Sequence, residues 1–190
     1  MPSFGNGFGE VVARASDTRF DQPHWYACHT RSRHEKSVEA LLCRQRVESY
    51  LPTTLRESRW KDRTKLILFP LFPGYVFARF TLHQLAQVLS TRGVAAVVGA
   101  RGCPTPIPAS EIESVRLVTN ALGRHASDLE SAPMVEGSRV RVTAGPFHGV
   151  EGVVVERRGQ RRVRVGIAAI GQGLEVDIGV ADVIPIPARS

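Results

Sequence analysis

Residues 137–187 alternate valine with charged residues and glycine in a way that admits strand and little else. Val140 with Val142, Val153 to Val155, Val163 with Val165, Val176 with Ile178 and Val180, and Val183 with Ile184 form short runs punctuated by glycine. Strands turn successive side chains to opposite faces, so such runs bury one face and wet the other. Arg158-Gly159 suits a hairpin tip. About fifty residues with several short strands suffice to close one small barrel. Helix is opposed, since each glycine costs it about 0.8–1 kcal/mol relative to alanine.

The half before it follows a different rule. His24–Thr30 opens with two aromatics and predicts a strand. Over residues 34–48, Val38, Leu41, Leu42 and Val47 recur at helical spacing, which predicts an amphipathic helix. Tyr50–Leu55 and Lys65–Phe69 read as paired strands around a charged tip that contains Trp60. Tyr75–Phe80 is a strong strand after Pro70 and Pro73. Leu82–Leu89 reads as a short helix, Val94–Val98 as a strand, and Ser110–Leu122 as a last helix with Ser110 and Glu113 spaced for a capping box. The fold class is therefore α+β: an antiparallel-sheet sandwich followed by a small all-β barrel. The expected boundaries are a loose tail over 1–23, a first domain over 24–122, a linker over 123–135 and the barrel over 136–187.

Charge is unevenly divided between these parts. Residues 24–122 hold fourteen basic and seven acidic residues, whereas residues 136–190 hold eight against six. The first domain thus accounts for the whole formal excess of +7, which points to a polyanion near it. Three well-separated cysteines (Cys28, Cys43, Cys103) form no ligand cluster and no disulfide framework, so no metal is expected. No apolar run reaches membrane-spanning length, and no secretory leader opens the chain, so the expected compartment is the cytoplasm. Scattered histidines, with no nucleophile elbow and no glycine-rich phosphate loop, argue against an enzyme; no cofactor is expected.

The stretch Gly137–Val154, with its turn at Gly145-Pro146-Phe147-His148-Gly149, resembles the KOW motif of ribosome- and transcription-associated barrels. Trp25-Tyr26 and Leu71-Phe72-Pro73-Gly74-Tyr75-Val76-Phe77 extend the resemblance over roughly residues 24–187, to the NusG family of transcription elongation factors. The resemblance implies that Phe72, Tyr75 and Phe77, with Val97 at the edge, receive the clamp helices of the largest RNA polymerase subunit. Read by themselves, those aromatics are better explained as core, and it is the resemblance that turns the reading toward a partner. The basic set Arg31, Arg33, His34 and Lys36 matches the region that, in the RfaH-like subgroup, meets single-stranded non-template DNA. The hairpin with Arg59, Lys61 and Arg63 corresponds to one that projects toward upstream DNA. Phe147 matches the residue through which the barrel contacts Rho or a small-subunit ribosomal protein.

The resemblance therefore implies a monomeric factor that closes the polymerase clamp, shortens pauses and modulates termination. The Pro-Leu-Phe-Pro-Gly-Tyr-Val-Phe run favours an RfaH-like antiterminator over the housekeeping factor. Residues 81–91, however, lack the threonine-rich run with which that subgroup touches the second large subunit. A third reading, a KOW-type RNA-binding or ribosome-associated protein, predicts salt-sensitive RNA binding by the barrel.

Overall fold

Burial on both faces of one four-stranded sheet organises the N-terminal half. The computed structural model describes residues 18–60, 63–100, 102–122, 131–133, 137–157, 160–177 and 182–187. A short α1 (Thr18–Asp21) lies within the stretch read as tail and precedes β1 (His24–Thr30) and α2 (Glu35–Arg44). There follow β2 (Glu48–Tyr50), β3 (Thr53–Trp60), β4 (Arg63–Pro70) and β5 (Tyr75–Phe80). A 3-10 turn at Leu82–Gln84 runs into α3 (Leu85–Ser90); then come β6 (Val94–Val97), the hairpin β7 (Gly99–Ala100) with β8 (Cys103–Pro104), and α4 (Ala109–Leu122). The sheet order is β2-β5-β1-β6, with β1 antiparallel to both β5 and β6.

Strand alternation sorts the core into two. Tyr26, Cys28, Val76, Ala78 and Phe80 bury against Val38 and Leu42 of α2 and Val88 of α3. Trp25, Ala27 and Phe77 bury on the opposite side with Ile112, Val115 and Val118 of α4. Burial pushes the Cys28 thiol up to about 12, so at neutral pH it is a protonated packing residue.

β3 and β4 stand apart as a two-stranded ribbon, paired from Thr53↔Pro70 to Trp60↔Arg63. Leu66, Ile67, Leu68 and Phe69 are exposed along it, and the Arg56 guanidinium lies 4.6 Å from the centre of the Phe69 ring. β3 starts later and runs further than expected: Pro52 separates it from β2, and its pairing with β4 carries it on through the charged residues.

The C-terminal part holds β9 (Ser131–Pro133), β10 (Arg139–Val142), β11 (Glu151–Arg157), β12 (Gln160–Ile167), β13 (Gln172–Val176) and β14 (Val183–Pro185). They form an antiparallel sheet in the order β14-β10-β11-β12-β13-β9. Val140, Val142, Val163, Val165, Ile167, Leu174 and Val176 are buried in its core. Two more elements depart from the sequence reading. Ser131–Pro133, inside the expected linker, pairs with β13. α4 starts at Ala109, one residue before Ser110, with Glu111 N–H donating to the Pro108 carbonyl at 2.9 Å. Ser110 is therefore a first-turn residue and not the cap. The Arg158-Gly159 tip lies outside the described residues, between strands whose last pair is Arg157↔Gln160.

Candidate nucleic-acid and polymerase interface

The basic set after β1 is held by a backbone scaffold before any side chain contributes. Arg31 N–H donates to the Gly93 carbonyl at 2.8 Å, and Thr30 N–H to the Gly74 carbonyl at 2.8 Å. Arg33 takes a left-handed conformation, φ 62°, and His34 Nδ1 lies 2.9 Å from the Ser32 carbonyl. Glu35, the acid within the set, is buried and accepts a hydrogen bond from Gly74 N–H at 2.8 Å. Its charge is thus turned inward, while Arg31, Arg33 and Lys36 are exposed.

A cleft of about 450 Å³ opens between α2 and the α3–β6 loop, lined by His34, Ser37, Ala40, Leu41, Arg44 and Arg92. Apolar walls with two guanidiniums and an imidazole suit a base with its phosphate. Arg44 and Arg92 are functional candidates that the sequence reading missed. Arg44 was accessible, because Ser37, Leu41 and Arg44 fall three or four residues apart on one helix face. Arg92 was not, since only the tertiary fold brings it to α2.

Gly93 makes that approach possible. It adopts φ +99°, and an added Cβ would lie 2.9 Å from Val38 Cγ2 and 3.2 Å from His34. Gly93→Ala is predicted to cost about 1–3 kcal/mol from crowding and backbone strain, read as a drop in the thermal midpoint; an unchanged midpoint would contradict this packing.

The aromatic set divides between environments. Phe72 and Phe77 are fully buried and meet edge-to-face, 5.6 Å between ring centres. Tyr75 is only partly buried and pairs with the exposed His29 at 5.4 Å. Val97 packs against the α2/α3 side of the sheet, the side away from Phe77. Tyr75 is therefore the aromatic of the set that a partner reaches without moving α4. At the ribbon tip, Arg59 and Arg63 lie in paired strands, while Lys61 is outside the described residues.

The two halves share one core through α4. Ser114 Oγ accepts from Glu151 N–H at 3.0 Å, the Glu111 carboxylate accepts from Ala168 N–H at 3.0 Å, and Leu117 approaches Gly149. On its other side, Thr119 Oγ1 lies 3.1 Å from the Tyr50 hydroxyl, and the Arg116 guanidinium covers Trp25 and Tyr50 at 5.2 and 4.9 Å. Burial raises the Tyr50 pKa, with the Thr119 hydrogen bond and Arg116 opposing. Phe147, the residue matched to a partner contact, is half-buried and packs against this shared core. It does not stand free because the Gly145–Phe147 turn is set against α4. On the C-terminal sheet, Arg141 and Arg139 pair with Glu151 at 2.6 and 3.4 Å, Arg162 with Asp177 at 2.7 Å, and Arg164 with Glu175.

A sheet domain with a basic cleft, joined through a helix to a valine-cored all-β unit, defines a two-part α+β protein. Residues 23–116 match the model of the family described as transcription termination factor nusG. Similar curated proteins are the transcription termination/antitermination proteins NusG of Thermus thermophilus (27% identity; 84% of this chain, 97% of that one) and Streptococcus pyogenes (31%; 70% and 79%). A solved Thermotoga maritima NusG structure, described as showing domain interaction, covers 88% of this chain and 99% of its own at 24% identity and TM-score 0.46. The chain belongs to the NusG family. It is a NusG-type transcription factor of the termination/antitermination class. No helix among the described residues is long and apolar enough to cross a membrane.

Proposed function

We propose that this chain is a polymerase-bound elongation factor of the antiterminator type, working without covalent chemistry. Its N-terminal sheet docks on the clamp helices of RNA polymerase at Tyr75, and Arg31, His34, Arg44 and Arg92 hold exposed non-template DNA. The C-terminal sheet, released from α4, presents Phe147 to a second partner, Rho or a small ribosomal-subunit protein. The observation that carries this reading is the placement of basic cleft, half-exposed Tyr75 and barrel-bearing α4 on one small domain. The RNA-binding reading draws less support from the C-terminal sheet, where Arg139, Arg141, Arg162 and Arg164 each pair with a carboxylate.

The test is binding of the full chain to bacterial core RNA polymerase, with and without a non-template strand. Tyr75→Ala is expected to weaken polymerase binding by about 2 kcal/mol or more, as loss of an aromatic anchor does. Arg44→Glu/Arg92→Glu is expected to spare polymerase binding and lower the salt slope of strand binding by about 0.7 per lost phosphate contact. Native-like polymerase affinity of folded Tyr75→Ala would defeat the clamp assignment, and an unchanged slope would defeat the cleft assignment.

A further inference from the structure

The β3–β4 ribbon holds an apolar run in water, outside both the basic cleft and the core. Leu66, Ile67, Leu68 and Phe69 follow one another on β4 and are 61, 42, 50 and 36% exposed. Cross-strand register puts Leu66 and Leu68 on the face shared with Leu55, and Ile67 and Phe69 on the face shared with Arg56. Both faces of the strand are therefore apolar and wet. Together they show on the order of 400 Å² of side chain, the size at which a patch on a soluble protein marks an interaction site.

The backbone of that strand is as open as its side chains. The ribbon is a sheet of two strands, so β4 has a neighbour on one side only among the described residues. Leu71 N–H donates to the Pro52 carbonyl at 2.8 Å, in step with the ribbon's unbroken register. Antiparallel alternation then makes Thr54↔Phe69 and Arg56↔Ile67 the hydrogen-bonded pairs, and leaves Leu55↔Leu68 and Glu57↔Leu66 without them. The N–H and C=O groups of Leu66 and Leu68 therefore point away from β3, to the open side. Charge, proline or a bulge ordinarily blunts such an edge. β3 carries Arg56, Glu57 and Arg59, whereas β4 has neither charge nor bulge between Lys65 and Pro70.

The chemistry of this edge selects a second copy of itself. Antiparallel pairing of β4 with its own copy, about a two-fold axis at Ile67, sets Leu66 opposite Leu68 and Leu68 opposite Leu66. Each such pair exchanges both main-chain hydrogen bonds through the outward peptide groups. Ile67 meets Ile67 on the axis and Lys65 lies opposite Phe69, so no like charges face each other. A slip of one residue would oppose outward peptide groups with inward ones. Phosphate finds no cation within the run. We infer that β4 pairs with β4 of a second copy, joining two ribbons into one four-stranded antiparallel sheet, in place of the monomer that the family resemblance implies. Two such patches with their strand edges bury roughly 1,000 Å², which places the dimer among weak, reversible assemblies.

Sedimentation of the full chain is expected to move from the mass of one copy to that of two between ~1 and ~200 µM. Leu66→Lys/Leu68→Lys changes only exposed side chains and sets lysines opposite one another. It is expected to raise the dissociation constant at least ~10-fold while the thermal midpoint stays in place. Register is read by disulfides in a chain with Cys43→Ser and Cys103→Ser, which removes the exposed thiols and leaves the buried Cys28. There, Ile67→Cys is expected to link two copies ~10-fold faster than Leu66→Cys or Leu68→Cys, since only the residue on the axis meets itself within disulfide reach. One-copy mass throughout the range would overturn the inference, and protection of the run by core RNA polymerase in that case would assign it to that partner. Equal linking rates at positions 66, 67 and 68, or a dimer indifferent to the lysine pair, would place the association on another surface and overturn it too.

Discussion

Phe77→Ala is expected to lose about 3–5 kcal/mol of stability, the cost of deleting a fully buried aromatic ring. Domains of this size hold about 5–15 kcal/mol in all, so the variant will sit near its unfolding transition at ordinary temperatures. Phe77 lies opposite Ala27 on one neighbouring strand and Tyr50 on the other, and it meets Phe72 edge-to-face under α4. Urea denaturation of the full chain reads the effect directly, and a native-like midpoint would mean that the sheet core is not as described. The consequence for function is practical. Loss of polymerase binding in a Phe77 variant reports unfolding as readily as a lost contact, so the informative probe is the half-exposed Tyr75.

Ser114→Arg is expected to separate the two halves while leaving each folded. Ser114 is buried between α4 and the C-terminal sheet, and its hydroxyl accepts the Glu151 N–H. Arginine there removes that bond, worth about 0.5–1.5 kcal/mol, and forces a long cation into a packed seam, costing about 1–3 kcal/mol more. Together these favour the open form roughly tenfold to a thousandfold. α4 itself should stay on the N-terminal sheet, because Arg116 and Thr119 grip Trp25 and Tyr50 from its opposite side. Small-angle scattering should show a larger radius of gyration, and the C-terminal sheet should tumble independently by NMR, with the Phe147 ring more exposed. An unchanged scattering profile would show that the shared core does not depend on this seam. Under the proposed function, the same variant gains access to the Phe147 partner, since the closed population no longer competes.

The local rules written in the chain were enough for most of the long elements and for the family, though not for α1, the β7–β8 hairpin or β9. Period-two valine runs gave the C-terminal strands, the Val38/Leu41/Leu42 spacing gave α2, and the motifs at 71–77 and 145–149 carried the NusG resemblance. The hairpin around residues 56–65 was visible from its charges and flanking strands, though not the exposure of Leu66–Phe69 on it. Apolar residues in a strand normally signal burial, and nothing local says that a ribbon will stand away from its sheet.

What the tertiary structure alone decided is which residues meet. Arg92 joins Arg44 across about fifty positions because Gly93 lets its loop close on α2. Val97 and Phe77, each apolar and each on a sheet strand, lie on opposite faces because their strands' registers against β1 put them there. Phe147 is half-covered because α4 carries two working faces. Glu111, Ser114 and Leu117 turn to one domain and Arg116 and Thr119 to the other. Side-chain period is a property of each element by itself and can be read along the chain. Contact between elements depends on register and on the path of the connections, and those are selected by the free energy of the whole core.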